Sequence, residues 1–192
     1  MNQSDETTPT VLIVPGIRDH VPEHWQTHLE QRLANAVAVP RMRRDAAEKL
    51  SCAAWVAALE RSLAALEGPV VLVAHSAGVA IVAHWARDHR RPIKGALLAT
   101  PPDFVSPMPA GYPSLDTLRD NGWAPMPRER LAFPSIVAAS TNDPLGRFDR
   151  VADLAKTWGS RLVDVGAVGH LNPASGFGEW PQGESLVAGL CR

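Results

Sequence analysis

The chain has 192 residues, of which 45% are apolar and 20% charged, with a formal net charge of −1. That length suits one domain around one core, and the apolar share is too high for a disordered chain. The near-neutral balance argues against nucleic acid or an anionic membrane surface as a partner.

The polar, acidic start Met1-Asn2-Gln3-Ser4-Asp5-Glu6 has no basic region and no apolar run, so it does not read as a secretory signal. Residues 1–9 are expected to form a flexible lead into a single domain over 10–192. No apolar stretch approaches the roughly 20 residues of a membrane span, and a cytoplasmic protein is expected.

The first strand is Thr10-Val11-Leu12-Ile13-Val14, an unbroken apolar run of the kind buried on both faces of a sheet. Pro15-Gly16 stops it, and a helix follows from near Pro22, with Trp25, Leu29 and Leu33 on its buried stripe. Ala36 to Val39 is a short second strand. The basic residues Arg41, Arg43 and Arg44 are soon followed by Glu48 and read as a solvated loop rather than a binding patch. Ser51 is a helix cap, and Trp55, Leu59, Leu63 and Leu66 line one face of the helix it opens. Val70 to Ala74 is the strongest strand. It runs through His75-Ser76-Ala77-Gly78 into a helix from about Val79 to Arg90. Gly95 to Ala99 is the fourth strand.

Residues 103–131 are rich in Pro and Gly with little periodicity, and a stretch that long is more often functional than idle. Ser135 to Ala139 is the fifth strand, Asp149 to Trp158 a helix, and Leu162 to Val165 the sixth strand. A Gly-rich loop over 166–183 and a short helix finish the chain. Alternating strands and helices predict an α/β fold with a parallel sheet of about six strands and helices on both faces. The two cysteines, Cys52 and Cys191, form no CxxC pattern and read as reduced structural thiols.

In an open parallel sheet the active site gathers at the carboxyl ends of the strands. Ser76 sits there, between a buried strand and a helix, which is the context of a nucleophile elbow. The usual G-x-S-x-G is here Ala74-His75-Ser76-Ala77-Gly78, with alanine as a small substitute at the first position. A serine hydroxyl needs a base to take its proton, and a carboxylate to orient that base. Asp143 follows the fifth strand and His170 the sixth. The chain order Ser, Asp, His is that of the α/β-hydrolases. Asp103, after the fourth strand, is the rival acid. If it can substitute, Asp143→Asn should be mild.

His75 reads as structural because adjacent side chains diverge at an elbow. His24 and His28, four residues apart, lack a placeable third metal ligand, so no metal is expected. His20 could reach the pocket rim. The Ala77 amide is one oxyanion donor, and the Ile17 amide is the other, with Gly16 allowing close approach.

These segments together resemble the small serine-hydrolase family that includes retinoblastoma-binding protein 9, a minimal branch of the α/β-hydrolases. The resemblance runs from about Val11 to Cys191. It rests on Val14-Pro15-Gly16 with Glu23-His24-Trp25-Gln26, on Val73 to Gly78, on Ser140 to Pro144, and on Gly169-His170-Leu171-Asn172 with Ser175 to Pro181. It implies a compact sheet without a large lid and no cofactor, and carries the catalytic roles to Ser76, Asp143 and His170. The family often has an aromatic residue where Ile17 stands.

Trp123, Phe177 and Trp180 are candidate pocket walls, each equally able to be core or surface packing. Residues 103–131 are a candidate rim. No basic cluster is expected to flank these three residues, which disfavours phosphorylated or CoA-linked substrates. The reading is a hydrolase of small carboxylic esters. Its rivals are an interaction protein that keeps the fold with vestigial catalysis, and an amidase, peptidase or acyltransferase with the same residues.

Overall fold

The apolar runs become six strands of one sheet: β1 (Thr10–Val14), β2 (Ala36–Ala38), β3 (Val70–His75), β4 (Gly95–Ala99), β5 (Ser135–Ala139) and β6 (Arg161–Asp164). All neighbours are parallel, in the order β2-β1-β3-β4-β5-β6. The computed structural model describes residues 8–18, 21–42 and 46–192. The expectations for residues 1–7, His20, Arg43 and Arg44 fall outside them.

The physical basis of the order is burial. β3, β4 and β5 are buried at every position, whereas the edge strands β2 and β6 are half-buried or exposed. Continuous valine and leucine runs therefore take the centre, and the edge accommodates Arg161 and Asp164.

Alternation divides the strand residues between two cores. Leu12, Val14, Leu72, Ala74, Leu98 and Val137 face one, under α2 (Cys52–Ala64), α3 (Ala77–Asp88) and α5 (Phe148–Trp158). Val11, Ile13, Val71, Val73, Leu97 and Ile136 face the other, under α1 (Trp25–Arg32) and α6 (Pro181–Cys191). In α3 every residue from Ala77 to Trp85 is buried, because the helix is sandwiched between the sheet and its neighbours.

Several boundaries differ from the sequence expectation for local reasons. α1 starts at Trp25 rather than Pro22, because the ring Nδ1 of His24 caps it by accepting the Gln26 amide at 3.2 Å. The third helix begins directly at Ala77, because the chain reverses within the single residue Ser76. The aperiodic 103–131 stretch contains a short helix, α4 (Leu115–Asp120), capped by the Ser114 hydroxyl. That segment is pinned to fixed elements. Trp123 Nε1 donates to the Leu50 carbonyl at 2.6 Å, His84 Nε2 donates to the Trp123 carbonyl at 3.1 Å, and the Cys52 amide donates to the Asn121 carbonyl at 3.0 Å. Burial pushes the Cys52 thiol up to about 12, so it stays protonated and inert. No helix among the described residues is long and apolar enough to cross a membrane.

Candidate active site

The strand order reverses direction between β1 and β3, and crevices form at such a switch point. The sequence leaves β3 through Ser76, whose φ of 57° and ψ of −127° lie outside the conformations L-residues favour. Its amide donates to the Ala99 carbonyl at 3.0 Å, which ties the strained turn to β4. Gly78 is what permits the turn. A Cβ there would sit 2.3 Å from the Val14 carbonyl oxygen and 2.9 Å from that of Pro15, both backbone. At Gly16 a Cβ would meet Ser76 Cβ at 3.5 Å, an ordinary contact. Close approach of the two loops is therefore secured by Gly78, not by Gly16 as the sequence suggested.

The four non-glycine residues with positive φ among those described are Ser76, Thr100, Phe104 and Leu171. All lie in loops at the carboxyl edge of the sheet. Strain of this kind, of order 1–3 kcal/mol per residue, gathers where the surrounding structure enforces a geometry.

The loops after β3, β5 and β6 bring Ser76, Asp143 and His170 into one line. Ser76 Oγ lies 2.7 Å from His170 Nε2, and His170 Nδ1 lies 3.0 and 2.9 Å from the two oxygens of Asp143. The histidine and aspartate side chains are 5% and 2% exposed, so the pair is shielded from water. Asp143 also accepts the Leu145 amide at 2.9 Å. A carboxylate only accepts, so it holds the proton of His170 on Nδ1 and leaves Nε2 to accept from the serine hydroxyl. Such a line can withdraw the proton of Ser76 as its oxygen attacks an electrophile.

The histidine is positioned from its backbone outward. It stands between Gly169 (φ 58°) and Leu171 (φ 50°), and Leu171 is fully buried. His75 Nε2 donates to the His170 carbonyl at 2.9 Å, linking the elbow to this loop. Burial drives the His75 pKa well below its ordinary value, and the neighbouring His170 and His24 rings push the same way, so it is a neutral donor. Asn142 and Ser140 from the acid loop accept the amides of Gly169 at 2.6 Å and Val168 at 3.2 Å. The two loops thus move as one unit.

Asp103 does not join the line. Its carboxylate accepts the amides of Val105, Ser106 and Arg147 and the Ser106 hydroxyl, at 2.8 to 3.2 Å. Burial pushes this carboxyl up, but the four hydrogen bonds outweigh it and hold the pKa below the usual value. All its acceptor positions are committed to the turn that carries Phe104.

Gln26 is a site residue that sequence reasoning passed over. It is 1% exposed, and its Nε2 donates to the carbonyls of Val14 at 3.2 Å and Val73 at 3.1 Å. It therefore clamps β1 to β3 where their following loops part to form the crevice. The helix around it is itself largely polar, with His24, Thr27 and His28 as near neighbours, so the sequence offered no signal that singled it out. Gln26→Leu removes two buried hydrogen bonds and should lower stability by about 1–3 kcal/mol. Urea unfolding with an unchanged m-value would measure it, and a loss below about 0.5 kcal/mol would contradict the clamp.

A cavity of ≈ 190 Å³ opens over Ser76. Gly16, Ile17 and Ala77 line it near the serine, which places the two expected oxyanion donors on its wall. Phe104, Met108, Leu118 and Trp123, all from the 103–131 segment, form an apolar side with Leu145. Trp123 is thus a wall residue, as expected. Phe177 and Trp180 are not. After Asn172 the chain crosses to the opposite face of the sheet, where Trp180 packs 4.9 Å from the Trp25 ring and Phe177 packs against the same core.

Arg18 and Arg41 also line the cavity. This corrects the expectation that no basic cluster flanks the site and the reading of Arg41 as a solvated loop residue, because the two arginines reach the cavity from loops separated in sequence. Arg18 donates to the Gly111 carbonyl at 3.2 Å and stacks over Tyr112 at 3.9 Å, bridging the loop after β1 to the 103–131 segment. Burial lowers the Arg41 pKa. His24 caps α1 and meets the His75 ring edge-on, with centroids 4.7 Å apart. Among the described residues no three His, Cys, Asp or Glu side chains are grouped to hold a metal.

Comparison with known proteins agrees with this architecture. The chain belongs to the serine hydrolase family, whose model matches residues 11–189. Among solved structures it is similar to a YdeN-like hydrolase from Pectobacterium atrosepticum, at 31% identity and a TM-score of 0.80, covering 96% of this chain and 91% of that one. It is also similar to the ydeN gene product of B. subtilis, at 21% identity and a TM-score of 0.72, covering 95% and 98%. Est1E from Butyrivibrio proteoclasticus shares the fold at 12% identity and a TM-score of 0.66, covering 97% and 86%. No curated protein sequence matches the chain. The protein is therefore a hydrolase with the α/β-hydrolase fold in compact form.

Proposed function

We propose that this protein hydrolyses small carboxylic esters through an acyl-enzyme on Ser76. The observation that carries the reading is the unbroken line from Ser76 Oγ through His170 to the buried Asp143 carboxylate, at the floor of an apolar cavity. Ser76 Oγ attacks the ester carbonyl while its proton passes to His170 Nε2. Negative charge on the former carbonyl oxygen is met by the amides of Ala77 and Ile17. Collapse breaks the C–O bond, and the alcohol leaves with the proton from His170. Water then attacks the acyl-enzyme with His170 again as base, and releases the acid and free Ser76. Asp143 keeps the imidazole in the required tautomer and offsets its positive charge during each transfer.

Intact-protein mass after treatment with a fluorophosphonate tests the reading. One adduct on the wild type and none on Ser76→Ala is expected. No adduct on either folded protein would favour a non-catalytic role for the fold.

A further inference from the structure

A second cleft, of ≈ 370 Å³, lies beyond the cavity over Ser76. Pro125, Met126 and Leu154 line one part of it and Arg128, Asp149, Arg150 and Asp153 the rest, and Val105 at its edge is 55% exposed. Phe104 is the single described residue that borders both spaces. It is only 6% exposed, and its φ is 50°. An aromatic residue does not adopt that conformation unaided. The turn is enforced by Asp103, whose buried carboxylate takes the Val105 and Ser106 amides just after Phe104 and is anchored by the Arg147 amide of the loop after β5. The protein thus holds a strained phenylalanine between the cavity over Ser76 and a cleft of mixed lining, with a carboxylate fully spent on the task.

We propose that Phe104 is the end wall of the acyl site and sets the length of acyl chain this hydrolase accepts. The inference rests on the ester-hydrolase reading above. The leaving alcohol must contact His170 Nε2, which returns its proton. It therefore occupies the side of the cavity lined by Asn172, Pro173 and Ala174, and the acyl chain takes the opposite side, ending at Phe104. The alcohol part and the acyl chain share a space of ≈ 190 Å³, slightly larger than an apolar cavity that holds benzene, so acyl groups of about six carbons or fewer fit. Longer chains meet the Phe104 ring. Without that ring they would continue into the second cleft.

The test uses p-nitrophenyl esters from acetate to dodecanoate with wild type, Phe104→Gly and Phe104→Trp. Glycine suits the left-handed backbone there, so the first variant removes the wall and relieves the turn together. Wild-type kcat/KM should peak at hexanoate or a shorter ester. Phe104→Gly should raise the dodecanoate-to-hexanoate ratio about tenfold or more, and Phe104→Trp should lower it. Unchanged length profiles in both folded variants would overturn the proposal. So would a shift confined to esters varied in the alcohol.

Binding of hexanoate and dodecanoate to Ser76→Ala proteins with and without Phe104→Gly, read by tryptophan fluorescence, repeats the test without turnover. A length shift there, with no fluorophosphonate adduct on wild type, would keep the partition and reject the hydrolase reading. An adduct with no length shift in either measurement would do the reverse.

Discussion

Ser76→Ala is expected to reduce ester turnover by on the order of 10⁵–10⁶-fold, while the fold persists. The loss follows from removing the only atom in the line that bonds to substrate. What remains is the environment: the Ala77 and Ile17 amides and the apolar cavity. A companion variant separates chemistry from stability. Ser76 sits at φ 57° and ψ −127°, a conformation that alanine finds no easier than serine. Glycine adopts it freely. Ser76→Gly should therefore be as inactive as Ser76→Ala yet more stable by about 1 kcal/mol, since strain is relieved and only part of the gain is lost to unfolded-chain entropy. Urea midpoints at equal m-value would measure the difference. Turnover within tenfold of wild type in either variant would reject Ser76 as nucleophile.

Asp143→Asn should lower kcat by about 10⁴-fold with little change in KM. An asparagine can still accept the Leu145 amide with its oxygen, which turns its NH₂ toward His170. The imidazole then keeps its proton on Nε2, facing the serine, and cannot act as base. The mild outcome that Asp103 might have allowed is not expected, because four hydrogen bonds occupy its carboxylate and fix it to the turn around Phe104. Steady-state kinetics with melting temperature as the folding control decides this. A loss under about tenfold would mean that another carboxylate serves His170.

The architecture was legible because it depends on burial, and burial leaves a local trace. Continuous apolar runs at 10–14, 70–75, 95–99 and 135–139 can satisfy both faces only at the centre of a parallel sheet. Ser76, Asp143 and His170 were legible for a related reason. Each follows a recognisable strand, so the fold delivers each to the same edge. Edge positions were less distinct, because a half-exposed strand such as β6 constrains its residues weakly, and its observed range starts one residue before the expected one.

The aperiodic segment over 103–131 carried no pattern to read. Its shape comes from contacts distant in sequence, such as Trp123 Nε1 on the Leu50 carbonyl and the Trp123 carbonyl on His84. The exclusion of Phe177 and Trp180 from the cavity was likewise invisible. An aromatic residue looks the same in sequence whichever face of the sheet its loop crosses to.

By itself, then, the sequence determined the sheet, the elbow and the three residues that meet in line, because strand periodicity and position after a strand are local properties. The tertiary structure alone decided that Gln26 joins β1 to β3, that Asp103 is spent on a turn, and that Arg18, Arg41 and Phe104 face the cavity. Those assignments depend on which polar atoms find partners across the fold. That is a property of packing in three dimensions, which residue order along the chain does not encode.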